Sequence, residues 1–330
     1  MVYLTGDRQN LQTVVAADVH SIVHSHLSIL DGESVLPDET PKHIGLYVYT
    51  MGGITTAAWG LVNLIREFGE ELSVFVPYKA LSAGTLLALG ADHVYMSRLG
   101  QLSPIDPSLN SPYNPPVPNL PPGAPPQFLP VSVEAVIGFI NLARKEMNLH
   151  EDGALAEVFA GLTEKVHPLA LGDVYRSREQ ITSLAERLLR MGSRKLSDPD
   201  IKRIVEILTK GLGSHDYIMN RKEARQLLGD WVVRPDPKIE KDMMALFSEY
   251  SKILHLNTQQ NPDEDLEGSK ERVLTYVRAI VESRERLDGY ISIRKIRKLS
   301  VPAPGPVPMQ VEGFQQSLIK EGWQCLDGGA

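Results

Sequence analysis

The segment from residue 43 to residue 96 constrains this chain most. "HIGLYVYT" is short, β-branched and aromatic, and reads as a buried strand that ends at Gly52 and Gly53. "TTAAWGLVNLIREFG" follows, with Ala58, Leu61, Val62 and Ile65 at helical spacing and Gly69 as a stop. "LSVFVP" predicts a second strand, "GTLLALGA" a short buried helix and "HVYM" a third strand. Strands and helices that alternate with short joints demand right-handed crossovers and a parallel sheet. The fold class is therefore α/β.

After this segment the pattern changes. Residues 104–130 are dense in proline, which disfavours both helix and ladder, so they read as an extended loop. From residue 131 the chain turns mainly helical. Ile181, Leu184, Ala185, Leu188 and Leu189 form an apolar stripe on one predicted helix. The next has Asp198 as expected N-cap, Pro199 at its first position, and Ile201, Ile204, Val205 and Leu208 facing inward. Beyond "LLGDWVVRPDPK" come a charged helix, the acidic turn "NPDEDLEG", another helix, and the strand-like alternation of "GYISIRKIRKLS". The expected division is a main domain over 1–237 and a C-terminal helical and β extension over 238–330.

Composition narrows the function classes. A net charge of −7 offers no basic surplus to meet phosphates, which argues against nucleic acid as partner. No run reaches the ~18 apolar residues of a membrane span, and the N-terminus lacks a signal-peptide pattern, so no membrane insertion is expected. The single cysteine, Cys325, has no partner for a disulfide or a CxxC site. The expected setting is cytoplasmic. His20 and His24 stand one helical turn apart, but no carboxylate or thiol joins them, so neither metal nor cofactor is expected.

One hydroxyl interrupts the apolar run, at Ser82, followed by Ala83 and Gly84 at a strand–helix junction. Serine is a poor nucleophile unless its proton is taken and the resulting oxyanion is held. A helix N-terminus offers N–H groups without intrahelical partners and a dipole that favours negative charge. Ala83 can present its N–H to an oxyanion. In a parallel sheet the carboxyl ends of strands share an edge, so Gly52 and Gly53 can lie beside Ser82 and supply further donors. The competing reading makes Ser82 an N-cap and the glycine pair a simple turn.

These residues resemble the Clp protease/crotonase superfamily, and most closely the serine dehydrogenase proteinase (SDH) family of Clp-fold proteins. The likeness runs along "YLTGDR", "YTMGGITTAAWGLVNLIREF", "KALSAGTLLALGADHVYMSRLGQLSPIDPSL", "KVHPLALGDVYRS" and "SHDYIMNRKEA", over roughly residues 1–235. It implies a ClpP/crotonase-like spiral of ββα units with a C-terminal α+β extension, and assembly into homo-oligomers. It also implies a serine peptidase acting on peptide or unfolded protein substrates, with Ser82 as nucleophile and Gly52, Gly53 and Ala83 around the oxyanion. No residue pattern points to or against an ATPase partner.

The sequence departs from the Clp pattern at the base. Ile105 stands near the place of the usual histidine, while Asp216 occupies the acid position. His167 is the first candidate for the base, because a neutral imidazole suits proton abstraction near neutral pH. His215, Lys165 and Lys145 are the alternatives. Two other functions compete with the peptidase: a catalytically silent Clp-fold scaffold that binds unfolded segments or a protein partner, and crotonase-like acyl-CoA chemistry that uses the N–H donors without an activated serine.

Overall fold

The computed structural model describes residues 1–32, 42–105, 108–109, 112–118, 126–129, 131–212, 214, 216–302 and 310–326. Parts of the proline-rich passage and His215 lie outside them. The chain divides into two compact units, Met1–Leu102 with Asn220–Ala330, and Ser103–Met219. The boundary expected at residue 237 falls inside the first.

The first unit opens with β1 (Val2–Thr5), α1 (Val19–Gly32), β2 (His43–Tyr49), α2 (Thr55–Phe68) and β3 (Glu71–Val76). It continues through β4 (Lys79–Ala80), α3 (Ala83–Leu89), β5 (His93–Met96) and β6 (Gln101–Leu102). The second unit holds β7 (Ser108–Leu109), β8 (Val131–Ser132), α4 (Val133–Asn141), α5 (Asp152–Lys165), α6 (Pro168–Leu189) and α7 (Asp198–Glu206). After β9 (Met219–Asn220), the first unit resumes with α8 (Arg221–Leu228), β10 (Val232–Val233), α9 (Pro237–Leu254) and α10 (Pro262–Leu266). It closes with β11 (Glu271–Glu282), β12 (Leu287–Pro302) and β13 (Gln310–Cys325).

One mixed sheet organises this first unit, in the order β10-β5-β3-β2-β1-β11-β12-β13. Strands β10, β5, β3, β2 and β1 run parallel, with registers such as Leu4↔Tyr49, Leu46↔Val74 and Val74↔Val94. The last three strands are antiparallel. The predicted strand–helix–strand–helix–strand segment is present as expected, and Ala58, Leu61, Val62 and Ile65 are buried on α2. Strand β2 is covered on both faces, which explains its unbroken apolar run. Tyr47 and Tyr49 join Met243, Phe247, Tyr250 and Leu254 of α9 in one cluster. Leu46 and Val48, also buried, point to the opposite face by the strand period of two.

Two expectations about the C-terminal part are corrected. The helix expected after the acidic turn is strand β11, and the acidic turn itself contains the short helix α10. Val273, Thr275, Tyr276, Val277, Ile280 and Val281 suit a pleated surface, and pairing with β1 and β12 overrides the helical tendency of the Arg and Glu residues between them. Nor is 238–330 an appendage to the sheet: β11 pairs directly with β1, the first strand of the chain.

A buried polar clamp fastens this return. His26 of α1 places Nδ1 at 2.8 Å from Ser283 Oγ and Nε2 at 2.9 Å from Asp288 Oδ2, and both His26 and Asp288 are inaccessible to solvent. Arg286 grips the same carboxylate with its Nε and a terminal nitrogen. Burial opposes ionisation of Asp288, but Arg286 and then His26 more than offset it and hold the carboxyl below its ordinary value.

In the second unit the expected stripe residues Ile181, Leu184, Ala185, Leu188 and Leu189 are all buried, as are Ile201, Ile204, Val205 and Leu208. The cap of α7 is Ser197, whose Oγ accepts the Asp200 N–H; Asp198 is already the first helical residue. In the proline-rich region, Ser108–Leu109 and Val131–Ser132 form a short antiparallel pair, possible because none of those four residues is proline.

Replacing Asp288 by Ala is expected to cost about 3–5 kcal/mol in urea denaturation, because it strands a buried imidazole and a guanidinium. Because the folded-state pKa is depressed, the Asp288 contribution is fully present above a pH of roughly 4 and is lost as pH falls through the folded value. Unfolding curves from neutral pH down to about pH 2 should therefore show a steeper acid loss in the wild type than in Asp288→Asn.

Candidate active site

The nucleophile candidate stands on a strained turn. Ser82 has φ 48° and ψ −107°, a conformation rare for a residue with a side chain, and it directly precedes α3. Serine favours N-cap positions, yet the Ser82 side chain makes no capping hydrogen bond to α3. It is partly exposed, whereas Ala83 behind it is fully buried. The side chain therefore does not cap the helix it precedes, and the turn is a strained strand-to-helix elbow.

The structure brings Gly52 against this residue. A Cβ built on Gly52 would lie 2.9 Å from Ser82 Cβ and 3.4 Å from Ser82 Oγ, and Gly52 has φ 119°. Only glycine fits there. The two segments are joined by the ladder that continues past β2 and β4: the Thr50 N–H donates to Lys79 O at 2.9 Å, and the Leu81 N–H to Thr50 O at 3.1 Å. Gly84 completes the fit, since a Cβ on it would lie 2.6 Å from Thr50 Cγ2.

The two glycines have different tasks. The Gly52 N–H donates to Thr50 Oγ1 at 3.0 Å and its carbonyl accepts the Val15 N–H at 2.9 Å, so Gly52 supplies space and not a donor. Gly53 forms a parallel bridge with Val15, in which Val15 provides both hydrogen-bonding groups: its N–H to Gly52 O and its carbonyl to the Ile54 N–H at 2.8 Å. Gly53's own N–H is thus turned away from Val15. Neither this N–H nor that of Ala83 has a hydrogen-bond partner among the described residues. Around the turn stand three exposed apolar side chains, Val14 at 53%, Met51 at 44% and Ile54 at 51% accessibility.

The cation nearest Ser82 in sequence is already engaged. Lys79 Nζ lies 2.8 Å from Asn257 Oδ1 and 3.4 Å from Asp7 Oδ2, and Asp7 also accepts the Tyr49 hydroxyl at 2.5 Å. Its ammonium is thus spent on hydrogen bonds to an amide oxygen and a carboxylate.

The remaining sequence candidates lie in the 103–219 unit. His167 caps α6: its Nδ1 accepts the Leu169 N–H at 3.2 Å, and its ring stacks on Tyr113 at 5.1 Å. In that arrangement the neutral ring carries its proton on Nε2. Asp216 is exposed, with its N–H bonded to Ser214 Oγ at 3.2 Å. Lys165 and Lys145 are exposed, and Ile105 is buried. His20 Nε2 is spent on the Ala57 carbonyl at 2.8 Å, and His24 packs edge-on against Phe68. No group of three His, Cys, Asp or Glu residues suited to a metal occurs among the described residues.

Sequence reasoning missed Thr50, Thr5 and Val15. Thr50 carried one usable signal, a hydroxyl ending an otherwise apolar strand; Val15 carried none.

Comparison with known proteins agrees with the reading of the fold. Residues 11–119, about a third of the chain, match the family model of the ClpP-like SDH-type serine proteinases. Two uncharacterized proteins of Methanocaldococcus jannaschii are 28% and 22% identical over 211 residues, 62% of this chain and 60% and 59% of their own. The chain thus spans less than two thirds of the length of these curated relatives. Membrane protein NfeD1b of Bacillus subtilis is 34% identical over 93 residues, 28% of this chain and 21% of its own. Two solved structures of the 1510-N membrane-bound stomatin-specific protease are similar with TM-scores of 0.39 and 0.36 at 14% and 12% identity. They cover 72% of this chain, and 82% and 78% of theirs. The resemblance read from the sequence holds: the chain is similar to the ClpP-like SDH-type serine proteinases, and its fold is ClpP-like α/β. This family match supports a peptidase. No helix among the described residues is long and apolar enough to cross a membrane.

Gly52→Ala is expected to destabilise the protein by about 1–3 kcal/mol, through the unfavourable φ and the contact with Ser82. Gly138→Ala, a helical site where a Cβ meets nothing within 4 Å, should instead stabilise by roughly 0.5–1 kcal/mol. Chemical denaturation of the two variants against the wild type checks the difference.

Proposed function

We propose that the chain is a serine peptidase that hydrolyses peptide bonds through an acyl-enzyme at Ser82. One observation carries this reading: a strained, partly exposed serine that does not cap its helix, packed against a glycine turn with an unengaged N–H. In the proposed reaction, Ser82 Oγ attacks the carbonyl carbon of the scissile bond as its proton passes to a base. The N–H groups of Gly53 and Ala83 hold the resulting oxyanion, each donor worth roughly 3 kcal/mol in the transition state. The amine leaves with a proton, and water releases the acid from Ser82. The exposed Val14, Met51 and Ile54 offer apolar contacts to substrate side chains, which suits an extended or unfolded segment.

For the remaining machinery, the family resemblance supports His167 as base and Asp216 as acid. His167 acts in this role only if its Nδ1 releases the Leu169 N–H, since its other nitrogen is protonated in the neutral ring. His215, Lys165 and Lys145 are the alternatives, a lysine serving through a Ser–Lys pair. Homo-oligomeric assembly belongs to the same proposal. NfeD1b is a membrane protein by name, so a membrane-associated setting is carried here beside the cytoplasmic one.

The capping role of His167 and the engaged state of Lys79 favour a second reading, a scaffold of the same fold that binds peptide segments without cleaving them.

Ser82→Ala should abolish both hydrolysis of fluorescein-labelled casein and labelling by a fluorophosphonate. Hydrolysis that survives in this variant refutes the nucleophile, and thioester turnover that survives points to crotonase-like chemistry. If the wild-type protein remains unlabelled across a broad pH range, the scaffold stands. Alanine at His167, His215, Lys165 and Lys145 in turn should identify the base by a loss of about 10²–10⁴-fold in labelling rate.

A further inference from the structure

We propose that Thr50 is the positioning residue of this site, and that its buried hydroxyl decides which amide of the glycine turn is presented beside Ser82. The proposal rests on the reading of Ser82 as nucleophile and deepens it.

Thr50 is fully buried at the end of β2, where valine would match its shape without burying a hydroxyl. A buried hydroxyl costs stability unless it is hydrogen-bonded. Here the oxygen uses its whole capacity of one donated and two accepted bonds. It accepts the Thr5 hydroxyl at 2.7 Å and the Gly52 N–H at 3.0 Å, and donates to the Gly52 carbonyl at 3.2 Å. Both polar groups of Gly52 are therefore tied to one side chain two residues earlier. With Gly52 fixed, Val15 is held by the Gly52 carbonyl and the Ile54 N–H, and the Gly53 N–H is turned the other way.

The backbone of the same residue holds the nucleophile side. Thr50 N–H and C=O bond Lys79 O and Leu81 N–H, the two residues that lead into Ser82. Its Cγ2 fills the space that Gly84 leaves open at the start of α3. One residue thus touches both halves of the site, the side chain setting the oxyanion turn and the backbone setting the strained serine. Loss of the hydroxyl frees the Gly52 N–H, which can then rotate and carry Gly53 with it.

Three variants test this. Thr50→Val removes the hydroxyl at nearly constant volume, and Thr50→Ser keeps it. Thr5→Val breaks the Thr5–Thr50 bond and leaves Gly52 untouched. Thr50→Val should lower kcat on fluorescein-labelled casein, and the fluorophosphonate labelling rate, by roughly 10²-fold with KM little changed, the scale of one displaced oxyanion donor. Thr50→Ser should restore both to within about threefold, and Thr5→Val should keep them while losing stability comparable to Thr50→Val. Wild-type kcat in Thr50→Val, or an equal loss in Thr5→Val, overturns the proposal. Amide exchange of Gly52 measured by NMR gives a readout independent of activity: it should accelerate in Thr50→Val and not in Thr50→Ser. Equal exchange in the two overturns the proposal even where no hydrolysis is seen. If Ser82→Ala keeps activity, the nucleophile reading falls, while the exchange measurement still decides the hold of Thr50 on Gly52.

Discussion

A contact between a backbone and a side chain governs this structure: Gly52 lies so close to Ser82 that no Cβ fits between them. Parallel pairing creates the contact. Strands β2 and β3 run side by side, and the extensions at their carboxyl ends keep pairing through Thr50, Lys79 and Leu81. Two chain reversals, one Gly-Gly and one Ser-Ala-Gly, must then occur at the same edge of the sheet. Each is distorted to fit the other, with positive φ at Gly52, Gly53 and Ser82. Antiparallel pairing would have sent the two turns to opposite ends of the strands.

Much of this was legible in the sequence because it rests on local patterns. The apolar stripes of α2, α6 and α7 face inward as their spacing requires. The failures share a cause, which is that the deciding partner is remote. Strand β11 resembles a helix locally because Arg272, Arg278 and Glu282 interrupt its apolar alternation; its neighbour β1 stands about 270 residues away. The His26–Asp288 clamp joins residues no spacing rule connects. Ser197 and Asp198 are both good caps by type, and only geometry chooses between them.

The candidate site divides in the same way. Ser82, Ala83 and the glycine pair announced themselves as small residues at strand–helix joints. What sequence reasoning did not separate was the space-giving role of Gly52 from the donor left at Gly53, because that distinction is made by Thr50 and Val15 from outside the motif. His167 shows the reverse problem. The same histidine before proline suits a base and a helix cap equally well by type, and the cap bond to Leu169 becomes visible only in three dimensions.

Strain gives the strongest physical ground for treating the Ser82 turn as more than a connection. A backbone at φ 48° and ψ −107° costs about 1–3 kcal/mol in a residue with a side chain. Asparagine or glycine would adopt a positive φ more easily, and a serine in ordinary extended geometry would cap α3. The chain takes neither route, and instead over-determines the strained state with Gly52 on one side, the fully buried α3 on the other and the Thr50 ladder beneath. A capped serine in extended geometry would carry no such strain, so the strained state persists because its neighbours hold it there. The strain is thus concentrated at the edge where β2 and β3 both end, with the Ser82 side chain held off its own helix by the packing of Gly52 against it.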